Sequence, residues 1–449
     1  MQLLQIQPLP DYLRDQYADL QVDELPEYRE LTGVKKVGLG LLGIGSLLLL
    51  IALTGFTSEH PWLWFFLTFG LTSIGGLMYI LAQLKESPPG IKNNHNFTRS
   101  LTARGAAGWL IGVVFTAFYI ILYWFPSVFQ NWIQMVDPVS RLLRGDPADH
   151  WFLYGTFYTF AMLIMGVRMF VRYRHNRYQL IRTASVMFFQ LGFAYLIPAF
   201  LRLMNQPEFY FSYFWPLKYH YLFPNDVRWL MSQPGGLGVF MVFWGAMLTF
   251  VATPVLTYFY GKRWYCSWVC GCGGLAETLG DPWRHLSSKS RLSWKVERNL
   301  IYSVLGFIII TTAALWINSA TEGRVLGNLS QTFARAYGFF IGAIFSGVIG
   351  VGFYPLLGNR VWCRFGCPQA AILGILQKHF SRFRITTNGA QCISCGNCST
   401  YCEMGIDVRM YAQEQQNIIR ASCVGCGICA AVCPRGVLKL ENGPVDGRY

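Results

Sequence analysis

Charge is what this sequence has least of. Asp, Glu, Lys and Arg make up 13% of its 449 residues, about half the share found in soluble globular chains. That scarcity excludes an ordinary soluble enzyme, and the 53% hydrophobic content excludes a disordered or fibrous chain. Cysteine does not occur before residue 266, so it does not staple a secreted scaffold together. All seven histidines fall in connectors or at the ends of apolar runs, which leaves no pair placed for bis-histidine haem. The C-x-x-C-H, G-x-x-x-x-G-K-[ST] and strand-borne G-x-G-x-x-G patterns are absent as well. Covalent haem, ATP and nicotinamide binding are therefore not read here.

What is present is apolar length. Eight runs (37–56, 62–84, 106–129, 151–170, 184–204, 237–260, 299–318 and 336–357) are each long enough to cross about 30 Å of hydrocarbon as a helix. Basic connectors alternate with connectors poor in Lys and Arg. Segment 85–104 holds Lys85, Lys92, Arg99 and Arg104 against Glu86, and segment 168–182 holds Arg168, Arg172, Arg174, Arg177 and Arg182 with no acid. The alternation predicts both termini, and every cysteine-bearing segment, on the cytoplasmic side. The formal net charge of +14 then reports orientation, not nucleic-acid binding.

Residues 1–36 carry Asp11, Asp15, Asp19, Asp23, Glu24, Glu27 and Glu30, unlike the basic start of a secretory signal, and read as a cytoplasmic extension. The connector 205–236 crowds together Phe209, Tyr210, Phe211, Tyr213, Phe214, Trp215, Tyr219, Tyr221, Phe223 and Trp229. These aromatics are expected to form an interfacial belt on the outer face. A sharper alternative is a platform for a lipid-soluble quinone.

Two tandem runs follow the last apolar stretch: Cys392-x2-Cys395-x2-Cys398-x3-Cys402 and Cys423-x2-Cys426-x2-Cys429-x3-Cys433-Pro434. Three closely spaced thiolates wrap three corners of a cubane cluster, while the fourth cysteine of each run ligates the other cluster. One [4Fe–4S] centre is thus expected on Cys392, Cys395, Cys398 and Cys433, and a second on Cys423, Cys426, Cys429 and Cys402. Gly396, Gly425 and Gly427 would let backbone N–H groups turn towards inorganic sulfur. Zinc would want two pairs separated by a loop, which this spacing is not. Two clusters side by side make a conduit for single electrons.

The other five cysteines sit in a repeat. Gly261-Lys-Arg263-Trp-Tyr265-Cys266-Ser-Trp-Val-Cys270 follows the sixth run, and Gly358-Asn-Arg360-Val-Trp362-Cys363-Arg-Phe-Gly-Cys367-Pro368 follows the eighth. The plain reading is small residues packing at helix ends. The sharper one is that Cys266, Cys270, Cys363 and Cys367 converge on a third centre, iron–sulfur or copper, with Cys272 as a fifth, exchangeable ligand. Arg263 and Arg360 would balance its negative charge.

With these residues in view, the chain over roughly 240–440 resembles the membrane-bound polyferredoxins, the family of NapH of periplasmic nitrate reduction, NosR of nitrous-oxide respiration and the oxidase-assembly protein CcoG. The C-x3-C-P turn after a span, the paired C-x2-C-x2-C-x3-C runs and the stretch Tyr401-Cys402-Glu403-Met404-Gly405-Ile406-Asp407-Val408 carry the likeness. The first turn departs from it, with Gly271 where the family has Pro, and with the added Cys272.

The resemblance implies a multi-pass protein of the bacterial inner membrane, embedded in lipid. It would act as an electron-transfer subunit of a respiratory oxidoreductase system, linked to quinone or to cytoplasmic and extracytoplasmic redox partners within a multi-subunit complex. A copper reductase or assembly factor and a redox-sensing regulator are the alternatives. The expected fold is mainly α, a polytopic helical membrane protein with a small C-terminal α+β dicluster ferredoxin domain. Its expected segments are a cytoplasmic extension (1–36), spans one to six (37–260), a loop with the first C-x3-C (261–298), spans seven and eight (299–357), a C-x3-C-P turn and linker (358–389) and the ferredoxin domain (390–449).

Overall fold

The structure, a computed structural model, describes residues 32–55, 59–85, 98–218 and 220–443. Most of the acidic extension 1–36, the last six residues of the ferredoxin domain, Lys92 and Tyr219 lie outside the described residues. The chain is mainly helical, since a backbone in hydrocarbon has only its own groups to bond to.

In chain order come α1 (Gly33–Thr54), α2 (Pro61–Lys85), α3 (Ala106–Trp124), a shorter α4 (Gln130–Arg144), α5 (His150–Arg172), α6 (Arg177–Leu203) and α7 (Pro234–Tyr260). A short buried helix, α8 (Gly271–Thr278), precedes α9 (Arg291–Ala320) and α10 (Leu329–Ile349). All but α4 and α8 are long and apolar enough to cross a membrane, eight in all. This is a polytopic membrane protein.

Several boundaries differ from the apolar runs, three of them for a reason visible in the structure. The third span stops at Trp124, because Pro126 opens a 3₁₀ turn in place of another helical one. The seventh starts at Arg291 instead of 299, capped by Ser290, whose Oγ accepts from Ser293 N at 3.1 Å. The eighth lies seven residues early, at Leu329–Ile349, because Asn318 Nδ2 donates to Gly327 O and Ser330 Oγ and ties down the preceding turn.

Helix α4 was not legible as an apolar run, because only one of its faces is greasy. That face buries Trp132, Ile133, Met135 and Val136, and Trp132 Nε1 and Asn131 Nδ2 donate to the carbonyls of Leu49 and Leu53 at the end of α1. The α1–α2 hairpin closes through glycine. A Cβ on Gly75 would stand 2.4 Å from Leu42 N and 2.7 Å from Gly38 O, the close backbone approach that small residues permit in membranes. Gly75→Leu is therefore expected to part the two helices. The detergent-solubilised protein should unfold several degrees lower, whereas Gly43→Leu, at a site with open space around it, should leave the melting temperature unchanged.

The aromatic connector is not a surface belt. Phe214 is fully buried and meets Tyr265 edge-on at 5.5 Å, Tyr221 packs on Gly245 of α7, and Trp215 Nε1 donates to Thr312 of α9. The segment folds inward because its rings fill the space between α6, α7 and α9. Trp229 is one that does remain exposed.

Beyond α10, helix α11 (Pro368–His379) leads to strand β1 (Arg384–Thr387), which pairs antiparallel with β2 (Leu438–Glu441), Ile385 opposite Leu440. Between the strands lie both cysteine runs, on short helices and turns, so the expected ferredoxin segment is a small α+β domain. It seats on the ends of the spans. Tyr178 Oη and Gln179 Nε2 of α6 donate to Gly425 O and Cys426 O, Lys289 Nζ donates to Thr400 O, and Gln377 Nε2 of α11 donates to Cys423 O.

Candidate functional site

Two small cavities open inside the ferredoxin domain. The first is lined by Cys392, Cys395, Cys398 and Cys433, and the second by Cys423, Cys426, Cys429 and Cys402. Each cavity thus takes three sulfurs from one run and the fourth from the other. The fold makes this crossing possible because each run turns through a left-handed glycine just before a four-residue helix: Gly396 (φ 77°) before Asn397–Thr400, and Gly427 (φ 75°) before Ile428–Ala431. A side chain at Gly427 would also collide with Tyr178.

The cavities differ in exposure. Cys395 and Ile393 of the first are exposed, whereas Cys423 and Cys429 of the second are buried beside the spans. Burial pushes the Cys398 and Cys423 thiols up to about 11, so loading either cavity with metal must expel protons. Ile406 N donates to Cys402 Sγ at 3.4 Å, a contact that strengthens once the sulfur is anionic.

The two C-x3-C turns come together. Cys266, Cys270, Cys363 and Cys367 each lie within electrostatic reach of the other three. Arg360 Nη1 donates to Cys363 Sγ at 3.6 Å and to Cys266 O at 3.3 Å, and Ala370 N donates to Cys367 Sγ at 3.4 Å. Arg263 does not join them. It stacks on Phe383 at 4.7 Å and donates to Asn442 Oδ1. Cys272 reaches Cys270, and its thiol is the main influence lowering Cys270 to about 7, while burial pushes Cys266 up to about 12.

Among the described residues, the one trio of His, Cys, Asp or Glu ligand atoms within 4.8 Å of one another is Glu277, Glu403 and Cys426. The turn sulfurs therefore stand wider than the spacing of roughly 4 Å that metal–sulfur bonds of about 2.3 Å impose around a single ion. A multi-atom cluster suits such a cradle better.

Between the second cavity and this cradle lies a buried ionic core that the sequence did not reveal. Asp281 accepts from Arg168 and Arg172 of α5 and from Arg284 Nε at 3.0 Å. Glu277 on α8 faces Arg182, Arg284 and Arg360 at 2.6, 2.7 and 2.6 Å, and Glu403 faces Arg284 and Arg360 at 2.9 and 3.0 Å. All eight side chains are buried. Burial opposes charge on Glu277 and Asp281, yet their arginines hold both carboxyls well below the usual range. Its members stand at 168–182, 277–284, 360 and 403. The one hint was the five arginines of 168–182, a connector with no acid of its own.

The 4Fe-4S binding domain family matches the chain over residues 242–292 and 338–386, one segment for each C-x3-C turn, and the 4Fe-4S dicluster domain family matches residues 384–434. The chain is similar to the putative electron transport protein YccM of Escherichia coli, 30% identical over 171 residues, which are 36% of this chain and 47% of that protein. It is also similar to the methylamine utilization ferredoxin-type protein MauN of Methylobacillus flagellatus, 28% identical over 36% of this chain and 57% of that protein. An uncharacterized protein of Methanocaldococcus jannaschii is 25% identical over 36% and 59%. The chain thus spans about half the length of the curated relatives it matches. No solved structure matches it. The chain thus carries 4Fe-4S binding and dicluster domains beside eight apolar spans, and is similar to ferredoxin-type electron transport proteins.

Proposed function

We propose that the chain passes single electrons between a redox partner on its cysteine-bearing face and the quinone pool or an extracytoplasmic redox protein. The pair of adjacent cavities with exchanged fourth cysteines carries this reading. In it, Cys392, Cys395, Cys398 and Cys433 ligate one [4Fe–4S] cluster, and Cys423, Cys426, Cys429 and Cys402 the other. The clusters supply one-electron chemistry at potentials that their surroundings set. The chain's own residues give the route its ends. Cys395 and Ile393 open the first cavity to a partner, while Tyr178, Gln179 and Arg284 seal the second against the spans.

Cys266, Cys270, Cys363 and Cys367 are read as a third centre, with Cys272 as its spare thiol. Their wide spacing and the 4Fe-4S match over both turns favour iron–sulfur over copper. The basic connectors 85–104, 168–182 and 261–298 favour both termini on the cytoplasmic side of a bacterial inner membrane. The segment limits given from the sequence belong to the same reading, as does membership of a larger respiratory complex.

Iron, sulfide and copper analysis with an anaerobic EPR redox titration tests it. Cys266→Ser and Cys363→Ser should each remove about one third of the iron and leave two clusters. Wild-type iron and spectra in both variants would remove the third centre from the scheme. Fluorescent-protein and alkaline-phosphatase fusions at the C-terminus test orientation. Only the fluorescent fusion should be active, and the opposite result reverses the topology.

A further inference from the structure

The ionic core joins the two cysteine groups. Arg284 Nη1 reaches Cys426 Sγ at 4.0 Å and the same side chain binds Glu277, Asp281 and Glu403. Arg360 binds Glu277 and Glu403 on one side and Cys363 Sγ on the other. Five guanidinium groups (Arg168, Arg172, Arg182, Arg284 and Arg360) share three carboxylates (Glu277, Asp281 and Glu403), all of them buried. Among the described residues the buried guanidinium groups outnumber the buried carboxylates here, in a place that water does not screen. Lys262, also buried, adds a further positive charge; its Nζ donates to Ala421 O. Uncompensated buried charge is strongly unfavourable, so such a core calls for an anion beside it. The trio Glu277, Glu403 and Cys426 is consequently no cation site, since guanidinium groups already take up its carboxylates.

Among the described residues the first cavity has no counterpart. Its arginines, Arg409 and Arg435, are exposed, where water and salt screen them. A reduced cluster carries one more negative charge than an oxidised one, and unscreened cations stabilise it more. We propose that this arginine-rich core is an electrostatic bias: it raises the reduction potential at the cavity of Cys402, Cys423, Cys426 and Cys429 above that at the exposed cavity, and extends the same pull through Arg360 to the C-x3-C cradle. Electrons arriving at the solvent-facing cavity are thereby drawn inward. Arg284 and Arg360 act here as positioning residues for charge. The inference rests on the cluster reading above.

The test is an EPR-monitored redox titration of the detergent-purified, cluster-loaded protein, with iron and sulfide measured on every sample. The signal of the second cavity is the one that Cys402→Ala abolishes. Arg284→Gln should lower the reduction equilibrium at that signal at least tenfold, which is 59 mV for one electron. Glu277→Gln, which removes a negative charge at nearly constant shape, should raise it, and neither change should move the first signal by more than about a third of that. Opposite shifts confined to one signal support the bias. If Arg284→Gln fails to load, Glu277→Gln decides alone by its upward shift. Loaded variants whose potentials do not move, or whose two signals move together, overturn the inference. A wild-type protein without clusters overturns the underlying reading instead.

Discussion

Cys433→Ala protein will lose the cluster built on Cys392, Cys395 and Cys398, and will keep the one built on its own run. The effect should be complete, because Cys433 lines the first cavity with those three residues and is not among the side chains around the second. Alanine removes the sulfur without offering an oxygen ligand in its place. The reciprocal variant, Cys402→Ala, should spare the exposed cluster and abolish the buried one. Iron and sulfide per polypeptide should drop by one cluster in each case, and the surviving EPR signals of the two proteins should differ. Loss of the same-run cluster in either variant would show that each run closes on itself.

Asp281→Ala should be the most damaging substitution outside the cysteines. Asp281 is fully buried and gathers Arg168, Arg172 and Arg284, with Tyr173 Oη at 3.4 Å. Through it α5 is fastened to the segment that carries α8. Removing the carboxylate leaves three guanidinium groups facing one another without water, and breaking a buried ion pair typically destabilises by about 3–5 kcal/mol. For a marginally stable protein this is a large share of the total. Detergent-solubilised Asp281→Ala should unfold many degrees lower than wild type or fail to accumulate in the membrane. Asp146→Ala serves as the control, because its ion pair with Arg202 is half exposed on both sides and such pairs contribute little. Equal losses in the two variants would refute the structural role assigned to Asp281.

What the sequence disclosed and what it hid follow one division. Spans and cysteine runs are local patterns. Twenty apolar residues have one stable form in hydrocarbon, and three cysteines at i, i+3 and i+6 meet at one point whatever surrounds them. The repeated C-x3-C turns were legible for the same reason, although their meeting across 97 positions was read from the repeat itself. The ionic core is different in kind. Arg182, Glu277, Arg360 and Glu403 touch only after four separate segments have packed, and each taken alone resembles a snorkelling or loop charge. The aromatic connector misled because rings favour both an interface and a packed interior. Only Phe214 against Tyr265 and Trp215 against Thr312 tell the two apart. Helix α4 escaped because half its surface is polar.

The depth of the first cysteine turn has an electrical consequence. Gly271, next to Cys270, lies against α5 beside the hydroxyl of Tyr158, where a Cβ would be 3.8 Å away. Tyr158 is eight residues from the far end of that helix, which leaves about 12 Å of helix to the opposite surface. If the four turn cysteines hold the centre proposed above, an electron delivered there has moved through part of the transmembrane voltage. At about 2.3 kcal/mol per charge for every 100 mV across the whole bilayer, its arrival is coupled to the energised state of the membrane. Reduction of that centre in sealed vesicles should therefore speed up or slow down when an imposed potential changes sign, while reduction of the solvent-facing cluster should not respond.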